Sequence, residues 1–176
     1  MKKVGSVKYT LGLLFFISLI VNSFTVSARG VYQTNQDFLT ETFNSVVPKS
    51  KVVWLKGELA LTITEILGHK YAGLRIRYWR NDQRSVWILE EIGKEQPITF
   101  GVVVAEEKIE TIKVLAFRES RGGEIRHPAF TQQFKQARLD NMQLDRQIDG
   151  VSGATLSVRA MTDVAKLALY LDKFTG

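Results

Sequence analysis

The chain has 176 residues and no cysteine. That removes structural disulfides, thiolate metal sites, iron–sulfur clusters and thioether-linked haem or flavin. Histidine is scarce too. His69 and His127 stand far apart, so a zinc site would need carboxylates to complete it, and each reads as an ordinary surface or loop residue. No Gly-x-Gly-x-x-Gly follows a strand pattern, and no Ser/His/Asp arrangement presents itself. Internal repeats and low-complexity tracts are missing as well. Any redox chemistry must therefore come from an organic cofactor.

A long one-sign charge stripe is also lacking. The formal charge is +6, but Lys2, Lys3 and Lys8 sit in a leader without acids, which leaves +3 for the rest. The other Lys and Arg residues are mixed with Glu and Asp rather than striped, which argues against nucleic acid as a partner. The one long apolar run, Leu11–Val21, ends at Asn22-Ser23 and falls short of the ~20 residues of a membrane span. With its basic start and Val26-Ser27-Ala28, the segment 1–28 reads as a signal peptide or, uncleaved, as an N-terminal membrane anchor. Either form places the remainder in the periplasm or at the outer face of the cytoplasmic membrane, and the anchor would keep it membrane-associated.

Apolar content of 45% and charged content of 24% suit one globular domain with a core. Residues 29–84 form an N-terminal extension and residues 85–176 the main domain. Residues 29–50 are a polar lead-in with a helical turn around Phe38–Phe43. Val52–Leu55 reads as a short strand. Residues 58–67 carry both a helical face (Leu59, Ile63, Ile66, Leu67) and a Thr/Ile alternation; Gly68 behind them suits a helix C-terminus, so helix is expected.

Period-two alternation then marks Leu74–Trp79 and Ser85–Leu89, joined through Asn81-Asp82-Gln83. Gly93 and Pro97 bracket a turn, and Ile98–Val104 pairs with Lys108–Phe117 through Glu106-Glu107. These four strands imply an antiparallel meander with one covered face. Phe130–Ala137 reads as a short helix and residues 140–148 as a charged connection. Beyond Thr155, Met161, Val164, Ala165, Ala168 and Leu171 recur at helical spacing, with Arg159, Asp163, Lys166 and Asp172 opposite. The fold class is α+β: an antiparallel β-meander with packed helices, the last of them amphipathic and C-terminal.

The stretch Asp149-Gly150-Val151-Ser152-Gly153-Ala154-Thr155 precedes that helix. It reads in two ways. In one, Asp149-Gly150 turns, Ser152 caps the helix, and Gly153-Ala154 are small for packing. In the other, Gly153 and Ala154 clear space for a bulky group, and Thr155 offers its hydroxyl to a phosphate at the helix N-terminus.

The pattern Asp149-x-x-Ser152-Gly153-Ala154-Thr155 resembles the flavinylation motif of the FMN-binding domain family. That domain occurs within the sodium-translocating NADH:quinone oxidoreductase, within the related Rnf-type complex, and in small exported flavoproteins. The resemblance implies that Thr155 becomes esterified to the phosphate of FMN by an exported flavin transferase that uses FAD and Mg²⁺. Ser152, Gly153, Ala154 and Asp149 are then cofactor-site residues. Asp149 orients the acceptor, is read by the transferase, or is a turn residue only.

The family also carries Glu-Thr-Pro-Gly-Leu-Gly near the isoalloxazine. Here Glu119 and Gly122 match, Ser120 stands for Thr, Arg121 stands for Pro, and the Leu and last Gly are replaced. Glu119, Ser120, Arg121 and Gly122 are thus implied near the cofactor. Arg118, Arg121 and Arg126 either stabilise a reduced, anionic flavin or are solvated loop charges. Trp54, Trp79 and Trp87 either stack on the ring or belong to the core. The resemblance covers roughly residues 85–171. Residues 85–176 are then the FMN-binding domain, and the C-terminal helix starts at the flavin-attachment motif.

The function implied is an exported electron carrier with covalent FMN, between a membrane reductase and a soluble or membrane redox partner. Two alternatives stay open: a flavin-dependent reductase of a small exported substrate, and a flavin-free assembly adaptor.

Overall fold

A computed structural model of the chain describes residues 30–176, so the expected leader, 1–28, lies outside the described residues. Helix α1 (Asn35–Thr42) is capped by Thr34, whose Oγ1 accepts the Asp37 N–H at 3.0 Å. Strand β1 (Lys51–Trp54) leads into helix α2 (Gly57–Leu67), which ends where Gly68 turns left-handed, φ 74°, and donates to Thr64 O at 2.9 Å. The helix expected there is present, with Leu59, Ile63, Ile66 and Leu67 buried as its apolar spacing requires.

Strands β2 (Arg75–Arg80), β3 (Ser85–Ile92), β4 (Pro97–Ala105) and β5 (Lys108–Ala116) follow, and β1 adds itself outside β2. The result is a five-stranded antiparallel meander, β1-β2-β3-β4-β5, one strand more than the four read from alternation alone. Its turns have local causes. Asn81 Oδ1 accepts the N–H groups of Gln83 and Arg84, and Glu106-Glu107 both hold positive φ in the two-residue β4–β5 turn.

One sheet face carries the larger core. Helix α4 (Thr155–Thr175) packs across β3 and β4 and against α2, burying Met161, Val164, Ala165, Ala168 and Leu171 on Trp87, Phe100 and Val102. The other face is covered in part, not bare as expected. Phe38, Leu39 and Phe43 close over Val86, Val103 and Leu115. Gly101 lies directly beneath the Phe38 ring, where a Cβ would stand 2.7 Å from Phe38 Cδ1. That explains a glycine in the middle of a buried strand.

Asp172 departs from the solvent face assigned to it. It is buried, bonded at 2.5 Å to both Arg80 Nη2 and Ser85 Oγ, and Ser85 Oγ in turn accepts the Trp87 indole N–H at 2.8 Å. Helical spacing alone cannot register a cation arriving from β2. The helix expected at Phe130–Ala137 is also shorter. Helix α3 (Pro128–Thr131) passes into a 3₁₀ turn at Gln132–Phe134, and then Gln136 takes φ 65° so that it can bond Ile109 O at 2.7 Å. Phe130 and Phe134 are both buried, edge to face. Within the charged connection, β6 (Leu139–Asp140) and β7 (Gln143–Leu144) form a small hairpin.

Candidate functional site

A meander places the β3–β4 turn and the chain leaving β5 at the same end of the sheet. Thr99 near the start of β4 pairs with Ala116 at the end of β5, so residues 93–96 and 117–122 are neighbours. The start of α4 reaches the same end, and three packing decisions hold these segments together.

The first is at Glu119. Its Oε1 accepts the backbone N–H groups of Lys94 at 2.6 Å, Glu95 at 2.6 Å and Gln96 at 2.9 Å. Desolvation pushes this carboxyl's pKa up, but the three N–H donors and the Lys94 charge outweigh that and hold it below the ordinary carboxylate range. Gly93 completes the fit, because a Cβ there would stand 3.1 Å from Glu119 Oε1 and 2.9 Å from Ile98 Cδ1.

The second is at Gly122, with φ 87°. A side chain here would run into Ser157 Oγ and stand 3.5 Å from the Cβ of Ala154. The loop backbone is therefore pressed onto the first turn of α4. The third is the turn that opens the helix. Gly153 takes φ 77°, the Ala154 N–H bonds Val151 O at 2.9 Å, and Ala154 is buried at 2% exposure.

The helix that results has no side-chain cap. Ala154 occupies the capping position, and Ser152 does not fill the capping role that its place in the motif suggested. Among the described residues, the N–H groups of Thr155, Leu156 and Ser157 have no hydrogen-bond partner. Unpaired N–H groups and the positive end of a 21-residue helix thus converge where Thr155 stands exposed.

These segments line one cavity of about 570 Å³. Its walls are Lys94 and Glu95 from the turn, Glu119–Arg121 from the loop, and Gly153–Ser157 from the helix start. Lys94 sits 3.3 Å from Glu95, and Arg121 has no ion pair among the described residues. Of the residues singled out in the sequence, Glu119, Ser120, Arg121, Gly153, Ala154 and Thr155 meet here, and Gly122 packs just behind. Ser152 and Asp149 are exposed and not on the wall; the Asp149 N–H is held by Gln133 Oε1 at 2.7 Å.

Other candidates are occupied elsewhere. Arg118 bonds Pro97 O and Thr99 Oγ1, and Arg126 bonds the Tyr32 hydroxyl at 2.8 Å. Trp87 is fully buried and stacked on Tyr78, Trp79 packs on the second core, and Trp54 is exposed between Lys56 and Arg75. His69 pairs with Glu91, and among the described residues no three His, Asp or Glu side chains group as a metal site. No described helix is long and apolar enough to cross a membrane.

Lys94, which the sequence reads as a turn residue rather than a site residue, is a wall residue, and so is Ser157, which motif reading passed over. The turn around Lys94 was legible, and the meander order alone would have set it beside the loop after β5.

The fold is thus an α+β domain whose end presents an uncapped helix start to a cavity of ligand size. Residues 93–170 match the family model of the FMN-binding domain. The match begins at the Gly93 turn and ends within α4, so it spans every wall of the cavity. No curated protein matches the chain.

Proposed function

We propose that the protein is an exported flavoprotein that carries FMN through a phosphoester on Thr155. In this reading it relays electrons between a membrane reductase and a second redox partner. The observation that supports it is the position of Thr155, exposed on the wall of a cavity of about 570 Å³ at the mouth of a helix without a cap.

The residues present fit the cofactor. The free N–H groups of Thr155–Ser157 suit the single charge of a phosphodiester. Nothing lies within 4 Å of where a Gly153 side chain would stand, so a large group has clear approach. Arg121 and Lys94 supply cationic side chains on the facing walls, and Glu119 keeps its own charge occupied with three backbone donors. When bound, FMN supplies one- and two-electron chemistry, and the protein contributes binding, orientation and electrostatic tuning.

Attachment needs an exported transferase with FAD and Mg²⁺. Thr155 Oγ1 bonds to the flavin-side phosphorus of FAD, the pyrophosphate linkage breaks, AMP leaves, and a base on the transferase takes the hydroxyl proton. A covalent bond prevents loss of flavin by diffusion outside the cytoplasm.

The intact mass of protein coproduced with the transferase reports both leader removal at 1–28 and the flavin adduct. A fluorescent band on a denaturing gel is expected from the native chain and none from Thr155→Val. A Thr155→Val protein that keeps the band would sink the assignment.

A further inference from the structure

A second cavity lies away from the proposed FMN site, along the outer edge of β5. It measures about 620 Å³ and is floored by Glu110–Val114, with Tyr32 and Gln33 at one end and Arg126–Pro128, Thr131, Gln132 and Lys135 forming the wall. β5 is the last strand of the sheet, so one side of its backbone has no strand neighbour.

Both ends of that edge are sealed. At one, the Ile109 N–H bonds Ala137 O at 2.9 Å and Ile109 O takes the Gln136 N–H at 2.7 Å. At the other, Leu115 O accepts the N–H groups of Tyr32 and Gln33, and the Phe117 N–H bonds Gly30 O at 2.7 Å. Among the described residues, nothing pairs with the outer backbone between Ile109 and Leu115.

The open segment is also the regular one. Register shifts fall between Val103 and Val104 and between Thr99 and Phe100, which puts the extra residues of β5 at Glu110 and Leu115. Between them Thr111, Ile112, Lys113 and Val114 pair in unbroken register with Val103, Val102, Gly101 and Phe100. Proteins commonly blunt an exposed edge with bulges. Here the bulges bracket a straight stretch of about 13 Å at ~3.3 Å per residue.

The charge of the groove selects the occupant. Lys113 is taken by Glu41 at 2.7 Å, and Glu110 by Arg84 at 3.3 Å. Arg126 bonds only the neutral Tyr32 hydroxyl, and Lys135 has no carboxylate partner among the described residues. The groove is therefore left with uncompensated positive charge. A second copy meeting this edge would set Arg126 and Lys135 against their own equivalents, which disfavours self-association.

We propose that the β5 edge at Thr111–Val114 is a docking slot for an extended, acidic segment of a partner protein, which pairs with it as an added strand. This is independent of the flavin reading.

The test uses the full chain and a capped heptapeptide alternating threonine and glutamate. Amide exchange is followed at Thr111–Val114. The expected result is saturable binding that slows exchange there about tenfold or more and weakens with added salt. The same peptide N-methylated at alternate residues keeps its charge but cannot pair, and is expected not to bind. Arg126→Glu with Lys135→Glu, both exposed positions, is expected to weaken binding at least about tenfold with unfolding behaviour unchanged.

Equal binding by the N-methylated peptide would overturn the strand-pairing proposal, and unchanged affinity in the double variant would overturn the acidic preference. Absence of protection at Thr111–Val114 would overturn it too. So would protection that grows with protein concentration alone, which would assign the edge to a second copy.

Discussion

Glu119 Oε1 accepts the Lys94 backbone N–H at 2.6 Å, and the same oxygen also holds the next two N–H groups of the turn. One carboxylate thereby joins two sides of the cavity at the start of α4, the β3–β4 turn and the loop that leaves β5. On the third side, Gly122 presses that loop onto Ser157 in the first turn of α4. The cavity has its shape because the loop is fastened both ways.

Glu119→Ala should release the turn. Water can replace some of the lost bonds at this partly exposed position, so the expected cost is about 1–2 kcal/mol. Faster amide exchange is expected at Lys94, Glu95 and Gln96. Glu119→Gln keeps an acceptor oxygen and should recover part of the protection. The pKa of Glu119 is depressed in the folded protein, so its contribution is present above the unfolded carboxylate range and is lost as pH falls through the folded value. Acid denaturation curves of the native chain and Glu119→Gln should converge at low pH; a gap that persists there would refute the linkage.

Gly122→Ala should cost more. The residue must keep φ 87° and must also place a methyl group against Ser157. Together these predict about 2–3 kcal/mol by urea denaturation. Ser157→Ala removes the hydroxyl in the way and should recover part of that loss. A double-mutant cycle with no coupling between the two positions would contradict the packing described.

How much was legible follows the range of each interaction. The β2–β3 and β4–β5 hairpins could be read because alternation and turn residues are local. Helix α2 could be read because Gly68 ends it within the same segment. Thr155 was legible as a motif, since Asp149, Ser152, Gly153 and Ala154 stand beside it. The length of α1 was not, because Phe38 is fixed by a glycine in β4, far along the chain. Asp172 was assigned to solvent because its partner Arg80 comes from another element. Lys94 stayed a mere turn residue because Glu119, which holds its backbone, is 25 positions away. Local chemistry can be read from order, while tertiary fastening requires the fold.

The Asp172 network gives a buried counterpart to the loop. Asp172→Ala leaves Arg80 without its carboxylate and Ser85 Oγ without its acceptor, at a site where both partners are largely buried. Breaking such a pair from one side is expected to cost about 3–5 kcal/mol in thermal or chemical denaturation. Because Ser85 Oγ also holds the Trp87 indole, a change in tryptophan fluorescence should accompany it. A loss under about 1 kcal/mol would mean the pair is as weak as a surface one.

His69 should make stability depend on pH near neutrality. Its ring bonds Glu91 Oε1 at 2.8 Å and Lys70 O at 3.1 Å, linking the end of α2 to β3. The Glu91 bond chiefly, then the Lys70 carbonyl, hold its pKa above the usual 6.5 against partial desolvation. A raised folded pKa stabilises the protein fully below the unfolded value and loses that contribution as pH rises through the folded one. The native chain should therefore lose stability as pH climbs from 6.5, by up to about 1 kcal/mol given the exposure of the ring. His69→Gln can still donate to Glu91 but does not titrate, so its stability should be flat across that interval. Urea midpoints taken from pH 5.5 to 8.5, about a unit or two either side of the histidine range, decide the matter. If the slope survives in His69→Gln, it belongs to another group, and the His69–Glu91 pair is not the source.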